Sequence, residues 1–383
     1  MLVVKRSHVQ VLAMGYGLLA IALASTKGVW SDPGFERLSP GPLAGTSAAE
    51  GWEVQRQGRE SILPRLSVVC LRDALFAHSG KQCLLLSIPR DTVGFEFVTV
   101  GRRVQLRPDS VYEASVWVRW TGGPKSAPAS ASPVSGHPSA IVSFWARHRD
   151  AKGEFAGRDE WLFDDRWKRL SFRFPCLDPT RPTLVYVSLL PNQKPIDTTV
   201  LVDDFELNAH TVPTAVPQVV SGSVVADGRF HRQKPGTVVA PWSFAATGGD
   251  SIRGGILEAQ GERFFAMRMN KSTTNYESAQ LWQMLDLQEG IRYEVSCRMR
   301  WDNYEPDTPP PIVNYGIWHE GSRTWYGPVD QTLERTDEWR TYRFTHIPPF
   351  GGRWKLYVQL NGWGNFGKAV AVSFDDFNCV AAH

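Results

Sequence analysis

The stretch that decides the fold occurs twice in this chain, first as Tyr112-Glu-Ala-Ser-Val-Trp-Val-Arg-Trp120 and again as Tyr293-Glu-Val-Ser-Cys-Arg-Met-Arg-Trp301. Both versions have the same length, begin at tyrosine and end at tryptophan. In the second version apolar and polar side chains alternate along the whole stretch, which is the pattern of a β-strand with one buried face. A strand that returns in this form predicts an internal duplication.

Other landmarks recur around these two strands in the same order. Each copy opens on a glycine and a phenylalanine, continues with a tryptophan, places a second tryptophan before a late strand, and closes on Asp-Asp-Phe. The landmarks are Gly34-Phe35-Glu36, Trp52, Trp167 and Asp203-Asp204-Phe205 in copy one, and Gly228-Arg229-Phe230, Trp242, Trp339 and Asp375-Asp376-Phe377 in copy two. The late tryptophan and the closing aspartate are equally far apart in both copies, as a tandem duplication of one domain predicts.

Length and periodicity define the fold class. A chain of 383 residues suits two domains that each bury their own core. Helical periodicity is nearly absent after the first thirty residues, whereas short alternating runs bounded by Gly, Pro, Asn and Asp recur throughout. We therefore predict an all-β protein with two tandem β-sandwich domains, at 28–210 and 224–383. The Pro-punctuated segment between them, 211–223, is the predicted linker.

The N-terminus has the features of an export signal. Lys5 and Arg6 precede an apolar stretch from Val9 to Ala24, which ends in small residues at the positions that a signal peptidase reads. We predict a signal peptide at 1–24 and a secreted, periplasmic or cell-surface protein. The alternative is an uncleaved anchor, and the membrane is a partner only in that case.

Charge and aromatic content limit the classes of partner. The 42 basic and 39 acidic side chains leave a net charge of +3, and the basic residues are dispersed. Nucleic acid is therefore not expected, because neutralising its backbone requires clustered Lys and Arg. Fifteen tryptophans are many for a β-protein, and some of them are expected on surfaces where rings stack on a ligand.

Five cysteines leave at least one unpaired. Cys70 and Cys83 lie on consecutive predicted strands, where they either bridge a hairpin or remain free thiols. Cys297 and Cys379 align with Val116 and Leu207 of copy one, so we expect both to be small core residues.

The order of landmarks, found twice, resembles the carbohydrate-binding modules of families four and nine, which belong to the galactose-binding-like jelly rolls. The elements that carry the resemblance are the Gly-Phe-Glu opening, the tryptophan, the strand that starts at tyrosine, the Trp-led strand and the closing Asp-Asp-aromatic strand. The resemblance spans nearly the whole chain after the predicted signal. It implies two jelly rolls that bind a glycan on a concave face or a loop edge without cleaving it.

Strand alternation divides the side chains of copy two between core and surface. On three strands, one face carries aromatic and amide side chains opposite an aliphatic face. If the strands are neighbours, these outward residues form a surface in which rings stack on sugar faces and amides hydrogen-bond to vicinal hydroxyls. The predicted glycan-binding residues are Gln280, Trp282, Asn314, Trp318, Tyr357, Gln359, Asn361 and Trp363. The alternative is a second hydrophobic layer or a domain interface.

Copy one has different chemistry at the aligned positions. Arg103, Arg147 and Tyr186 point outward there, and the two arginines either contact an acidic glycan or are ordinary solvated charges. We expect the two copies to differ in ligand, with copy two binding neutral sugar.

The closing Asp-Asp pairs predict buried carboxylates. Asp203 and Asp375 share a face with core residues, so each must be paired, hydrogen-bonded or bound to a cation. The family resembled often holds a structural Ca²⁺ beside its Gly-Phe-Glu opening and this aspartate. The resemblance therefore implies Glu36 and Asp203 as ligands in copy one, with Asp375 as the counterpart in copy two. His231 replaces the glutamate in copy two, so Asp375 there pairs with His231 or accepts backbone amides.

Three functions compete at this stage. The first is a secreted, non-catalytic glycan-binding protein with two unequal modules. The second is an accessory or structural subunit that uses its jelly rolls for protein contacts in an exported or membrane complex. The third is an enzyme. Its only support is a group of nearby carboxylates at 159, 160, 164 and 165, for which an acidic loop is the simpler explanation. We expect no catalytic residues.

Overall fold

A computed structural model describes most of both copies. The described residues are 30, 34–43, 51–93, 96–108, 110–121, 140–147, 155–176, 179–191, 196–211, 222–247, 249–271, 273, 277–304, 310–328, 331–365 and 367–382. The predicted signal peptide and most of the predicted linker lie outside these ranges, so both remain predictions.

The described part of copy one contains eleven strands and a three-residue 3-10 turn at Leu63–Arg65. The strands are β1 (Gly41–Pro42), β2 (Trp52–Gln57), β3 (Ser67–Arg72), β4 (Gln82–Ile88), β5 (Phe97–Val104), β6 (Ser110–Trp120), β7 (Ala140–Arg147), β8 (Phe155–Leu162), β9 (Lys168–Pro175), β10 (Thr183–Leu190) and β11 (Thr198–Thr211).

The described part of copy two repeats the order of strands from β2 to β11 with one short strand added, and has a 3-10 turn at Gly249–Ser251 and one short helix, α1 (Gly362–Asn365). Its strands are β12 (Trp242–Ala246), β13 (Ile252–Ala259), β14 (Glu262–Met269), β15 (Ser278–Leu287), β16 (Tyr293–Trp301), β17 (Ile312–His319), β18 (Thr324–Gly327), β19 (Gln331–Thr332), β20 (Arg340–His346), β21 (Gly352–Asn361) and β22 (Val370–Ala381).

The strands of the described residues form three antiparallel sheets. The copy-one sheet has the order β1-β3-β4-β11-β6-β9, and the copy-two sheet has the order β13-β14-β22-β16-β20. The third, which we call the shared sheet, has the order β12-β15-β21-β17-β18-β8-β7-β10-β5-β2, with β19 paired to β17. Half of the shared sheet packs on each of the other two. The predicted all-β architecture of two tandem jelly-roll sandwiches is confirmed.

Strand β16 alternates between buried and more exposed side chains, as its sequence predicts. On β16 the side chains of Tyr293, Val295, Cys297, Met299 and Trp301 are buried, and the residues between them are exposed or half-buried. Its partner strand β22 lies antiparallel beside it and has a bulge between Asp375 and Asn378, within its closing Asp-Asp-Phe segment. The corresponding strands β6 and β11 of copy one show the same bulge between Asp203 and Glu206.

The opening phenylalanine, the first tryptophan and the closing phenylalanine meet in the core of each copy. In copy one the Trp52 ring centroid lies 4.6 Å from that of Phe35 and 5.3 Å from that of Phe205. In copy two the Trp242 centroid lies 5.3 Å from Phe230 and 4.7 Å from Phe377. The landmarks that revealed the duplication are therefore the centre of each sandwich.

The possible disulfide between Cys70 and Cys83 is not formed. Strands β3 and β4 are paired as predicted, but Cys70 lies opposite Leu84 and Cys83 lies opposite Leu71. Because neighbouring residues on a strand point to opposite faces, the two thiols lie on opposite sides of the sheet. Burial raises the pKa of Cys83 to about 12, which keeps it protonated.

Cys297 and Cys379 are buried core residues, as the repeat alignment predicted. Both lie within the hydrophobic core of copy two, and burial raises the pKa of each thiol. Neither of them forms a disulfide.

Candidate functional site

The shared sheet has one face turned into the sandwiches and one turned away from them. We call the second the outer face. In copy two, β15, β21 and β17 are neighbours, so Gln280, Gln359 and Asn314 lie side by side in one row across three strands. Gln280 Nε2 donates a 3.4 Å hydrogen bond to Gln359 Oε1. All three side chains are half-buried, and Asn361 follows on the same face opposite Ser278. The structure therefore brings the predicted amides together.

The predicted aromatic residues occupy the same face beside the amides. Trp282 lies opposite Tyr357, and Trp318 lies opposite Lys355 on the next row. The indoles of Trp282 and Trp318 are half-buried, whereas Tyr357 is only 1% exposed. Tyr357 points outward as expected, but it is covered and cannot serve as a stacking surface.

Trp325, which the sequence analysis missed, covers Tyr357. It lies on the short strand β18, with its ring centroid 5.0 Å from that of Tyr357 and 5.7 Å from that of Trp318. The rings are tilted by 43° and 72° to their neighbours and do not form one plane. A strand of four residues gives too short a pattern for its faces to be assigned from sequence.

Lys355 lies at the centre of this cluster. Its ammonium is 4.2 Å from the ring centroid of Trp282 and 5.8 Å from that of Trp318. It also donates a hydrogen bond to Gln280 Oε1, and burial lowers the pKa of Lys355. Alternation placed Lys355 on the outer face, but the sequence did not show that two indoles flank it. The surface thus combines stacking rings, amides and one cation.

Alternation predicted that strand β21 continues to Trp363, and this prediction is wrong. The strand ends at Asn361, and Trp363 lies in the four-residue helix α1. The side chain of Asn365 ends the strand by donating to the carbonyl oxygens of Ile312 and Asn361, at 2.8 and 3.0 Å. The Trp363 side chain lies outside the described part of the chain, so its role in binding remains a prediction.

In copy one, both predicted arginines have partners on the outer face. The Arg103 guanidinium forms an ion pair with Glu53, in which Nη2 lies 3.1 Å from Oε2. Arg147 lies over the ring of Tyr186, 4.9 Å from its centroid, and Tyr186 is 9% exposed. Since Glu53 neutralises Arg103, Arg147 is the better candidate for contact with an acidic group.

The sequence analysis missed two tryptophans on the outer face of copy one: Trp145, which is half-buried, and Trp161, which is exposed. Trp145 lies opposite Tyr186 and donates from Nε1 to Asp159 Oδ1 at 3.0 Å. Its ring lies over Gly157, where a Cβ atom would stand 2.4 Å from the indole. Trp161 is on the same face of β8 and is 54% exposed. Gly157 opposite an aromatic residue was the available signal, because glycine leaves room for a ring to lie along a sheet.

The predicted calcium ligand Asp203 is buried and bonded to backbone amides. Its Oδ2 accepts the N–H groups of His78 and Ser79 at 2.8 and 3.1 Å, and its Oδ1 accepts that of Asp204 at 2.8 Å. Burial nevertheless raises the pKa of Asp203 to about 6, although these three bonds act in the opposite direction.

The second predicted ligand, Glu36, is bonded in the same way. Its Oε1 accepts the backbone N–H groups of Lys81 and Gln82 at 2.6 and 3.0 Å. These N–H groups use lone pairs that a cation would require from several ligands. The described residues also contain no group of three or more His, Cys, Asp or Glu side chains that could hold a metal ion. We therefore propose that these carboxylates clamp the loop before β4 without a metal ion.

We expect the melting temperature of the protein to be the same in EDTA and in millimolar CaCl₂. The physical reason is that the carboxylate oxygens of Glu36 and Asp203 are satisfied by amides of their own chain. Differential scanning fluorimetry of chelator-treated protein checks this. A rise in melting temperature that saturates with added Ca²⁺ would instead demonstrate a metal site.

Asp375 of copy two has fewer partners than Asp203. It is buried, and its Oδ1 atom has no hydrogen-bond partner. Burial raises its pKa to about 6; the neighbouring Asp376 and Glu262 also raise it, while Arg298 and the backbone amide of Asp376 lower it. His231, one of the two partners proposed for this carboxylate, is exposed, and no bond joins it to Asp375 in the described structure.

The raised pKa of Asp375 predicts a pH-dependent effect of Asp375→Asn. The folded carboxyl binds its proton more tightly than the unfolded one, whose pKa is about 4, so stability falls as pH rises from about 4 to about 6. We expect the variant to be more stable than wild type by on the order of 2 kcal/mol at about pH 8, with the gain shrinking toward pH 5. Urea unfolding at both pH values measures this, with the exposed Asp286→Asn as control. A gain that does not change with pH would contradict the assignment.

Searches for related proteins found similarity in structure only. No protein-family model matches the sequence, and no curated protein matches it significantly. Among the described residues, no helix is long and apolar enough to cross a membrane. Most of the similar solved structures are carbohydrate-binding modules, and chains from enzymes are also among them.

A tandem pair of family 22 carbohydrate-binding modules from Paenibacillus barcinonensis is 14% identical, with a TM-score of 0.32, over 94% of this chain and 99% of that one. A family 61 module, solved in complex with β-1,4-galactotriose, is 15% identical with a TM-score of 0.32 over 48% of this chain and 100% of its own. A family 4 module is 21% identical with a TM-score of 0.30, over 41% and 99%.

The chain thus resembles carbohydrate-binding modules in fold. At this level of identity and TM-score the likeness concerns the β-sandwich alone. The function has to be argued from the side chains of this chain.

Proposed function

We propose that this protein is an exported, non-catalytic carbohydrate-binding protein, and that the outer face of the shared sheet is its binding surface. The observation that carries the proposal is the cluster of half-buried indoles, Trp282, Trp318 and Trp325, beside the row of amides at Gln280, Gln359 and Asn314. Export is supported by the N-terminal sequence pattern alone.

The chemistry of this surface suits sugar better than it suits an apolar ligand. An indole offers a flat apolar ring for the C–H face of a pyranose, and neighbouring amides donate and accept hydrogen bonds at its hydroxyls. Lys355 adds an ammonium that can donate to hydroxyl, carboxylate or sulfate oxygens. Because the rings are tilted to one another, successive sugars must turn along the chain.

The carboxylates of copy one support binding in preference to hydrolysis. Asp159 and Glu160 are consecutive on strand β8, so their side chains point to opposite faces of the shared sheet. Asp159 accepts hydrogen bonds from Ser143 and Trp145 on the outer face. Glu160 is buried on the other face, where it pairs with Arg158 and Lys168. A glycosidase needs its acid and base on one cleft, and these two do not share one.

Affinity electrophoresis against a panel of polysaccharides tests the proposal. The panel contains xylan, β-1,4-galactan, hydroxyethylcellulose and polygalacturonate, which separates neutral from acidic ligands. We expect at least one of them to retard the protein. Trp282→Ala and Trp318→Ala should each weaken that binding about fivefold or more, as the loss of a stacking contact worth about 1 kcal/mol or more predicts.

The matched control is Trp339→Ala, because Trp339 is also half-buried in copy two but lies beside the copy-two sheet, stacked against Arg298 and Arg300. This variant should bind like wild type. Retention of full binding by both Trp282→Ala and Trp318→Ala would refute the assignment of the surface. Failure of every polysaccharide, together with co-purification of a protein that Trp318→Ala releases, would favour the accessory-subunit function.

A further inference from the structure

The two copies are joined through a continuous sheet. Strand β18 of copy two pairs antiparallel with β8 of copy one, with Trp325 opposite Gly157, Tyr326 opposite Ala156 and Gly327 opposite Phe155. Two modules connected only by a linker would not share backbone hydrogen bonds. The pairing therefore aligns the outer faces of both copies on one surface.

Side chains at the junction hold this alignment. The hydroxyl of Tyr326, a residue only 2% exposed, donates a 2.5 Å hydrogen bond to the carbonyl oxygen of Arg173 on strand β9 of copy one. The Arg173 guanidinium in turn lies 5.4 Å from the ring centroid of Phe350 in copy two. A buried hydrogen bond and a cation–π contact across the junction oppose rotation of one copy against the other.

One row of the outer face crosses the junction without a gap in register. From copy one into copy two, six residues that face one another in successive strands are Tyr186, Trp145, Gly157, Trp325, Trp318 and Lys355. Trp145 leans over Gly157, the residue that lies between it and Trp325 of the other copy in this row. The aromatic residues of the two copies therefore form one stripe perpendicular to the strands.

From this stripe we infer that both copies bind one polysaccharide chain together, in a single site that runs across the junction. The row from β10 to β15 contains six strand-to-strand steps of about 4.8 Å each, or about 29 Å in all. This length exceeds what a short oligosaccharide covers and suits the interior of a long chain. The inference rests on the proposed function and names its ligand class: an extended polysaccharide that is bound along its length.

A shared rigid surface changes the energetics of binding. When two sites are held in fixed register, a chain bound to the first reaches the second as an intramolecular step, and the affinities reinforce each other. Neighbouring strands also twist by about 20–25°, so the stripe turns as it crosses the sheet. A polymer with rotatable linkages between its sugars can follow that turn.

The test measures the affinity of the full-length protein for oligosaccharides of increasing length. Isothermal titration calorimetry is done with xylo-oligosaccharides and with galacturonate oligosaccharides, from the disaccharide to about ten residues. The longest of them can span the stripe of about 29 Å. We expect affinity to rise at least tenfold once the oligosaccharide can span the junction, and the stoichiometry to be one long oligosaccharide per protein.

Trp145→Ala and Trp318→Ala identify the two halves of the site. Each should remove the rise in affinity for long oligosaccharides, and the double variant should lose less than the sum of the single losses, because each single change already breaks the spanning contact. The matched control in copy one is Trp167→Ala, whose ring lies beside Arg119 on the copy-one sheet. It should leave the rise intact.

Three outcomes separate this inference from the proposed function. Two long oligosaccharides bound per protein would overturn it, while glycan binding would stand. An affinity that reaches its plateau with short oligosaccharides would do the same. Absence of binding to every member of both series and to the polysaccharide panel would overturn the proposed function and the spanning site together.

Discussion

Replacing Trp242 by alanine is expected to lower the free energy of unfolding by about 3–5 kcal/mol, which is the usual cost of deleting a fully buried tryptophan. Trp242 is 2% exposed and contacts Phe230 and Phe377, the opening and closing landmarks of copy two. Its Nε1 also donates a 3.1 Å hydrogen bond to the carbonyl oxygen of Asp227. The substitution therefore creates a cavity and leaves a carbonyl without its donor.

Copy one offers an internal comparison for this prediction. Trp52 has the same position between Phe35 and Phe205 and is fully buried, but its Nε1 has no hydrogen-bond partner. Trp52→Ala should thus cost about as much cavity energy as Trp242→Ala, without the additional lost hydrogen bond. Urea unfolding followed by far-UV circular dichroism measures both, and half-buried Trp339→Ala is the control. A cost below about 1 kcal/mol at either core position would contradict the duplicated core.

The duplication made the fold predictable from sequence. A single alternating run identifies one strand, but the same run at two places, each followed by a Trp-led strand and an Asp-Asp-Phe strand, identifies a domain and its copy. The backbone conformation of the landmark residues also repeats between the two copies. Phe35 and Phe230 both have positive φ, as do Asp204 and Asp376 next to the bulges, so the repeated landmarks mark the irregular backbone of each copy.

The candidate site was predictable where strands are long and not where they are short. Alternation along β15 and β21 correctly placed Gln280, Trp282 and Gln359 on one face. It did not show that Trp325 would cover Tyr357, because cross-strand neighbours depend on a pairing partner that the sequence does not specify. For the same reason the junction between β8 and β18 could not be foreseen: nothing in either strand names the other as its partner.

Repeat alignment is least reliable where the copies differ by a single residue. Copy one has Gly34 directly before its opening phenylalanine, whereas copy two places Arg229 between Gly228 and Phe230. The two glycines therefore occupy different backbone positions, although both belong to the landmark that opens a copy. This difference yields the second large effect on stability.

Gly228→Ala is expected to destabilise the protein by about 3 kcal/mol or more, whereas Gly34→Ala should cost less than about 1 kcal/mol. A Cβ on Gly228 would lie 2.1 Å from the carbonyl oxygen of Phe377, a backbone atom that cannot move without strand β22. The backbone N–H of Phe377 also donates a 3.0 Å hydrogen bond to the carbonyl oxygen of Gly228. Moving the two segments apart to relieve the clash would break this bond and separate Phe230 from Phe377. A Cβ on Gly34 meets only side-chain atoms, the nearest being Asp204 Oδ1 at 3.5 Å.

Urea unfolding of the two glycine variants, side by side, measures the contrast. Both changes add one methyl group and reduce the entropy of the unfolded chain equally, so a difference between them reports the folded state alone. Equal costs would mean that the opening segments pack alike in both copies. That result would contradict the close approach of Gly228 to the Phe377 backbone. A larger loss for Gly228→Ala would show that copy two depends on direct backbone contact between its first and last landmarks. In copy one the carboxylates of Asp203 and Glu36 clamp the corresponding region by accepting backbone amides.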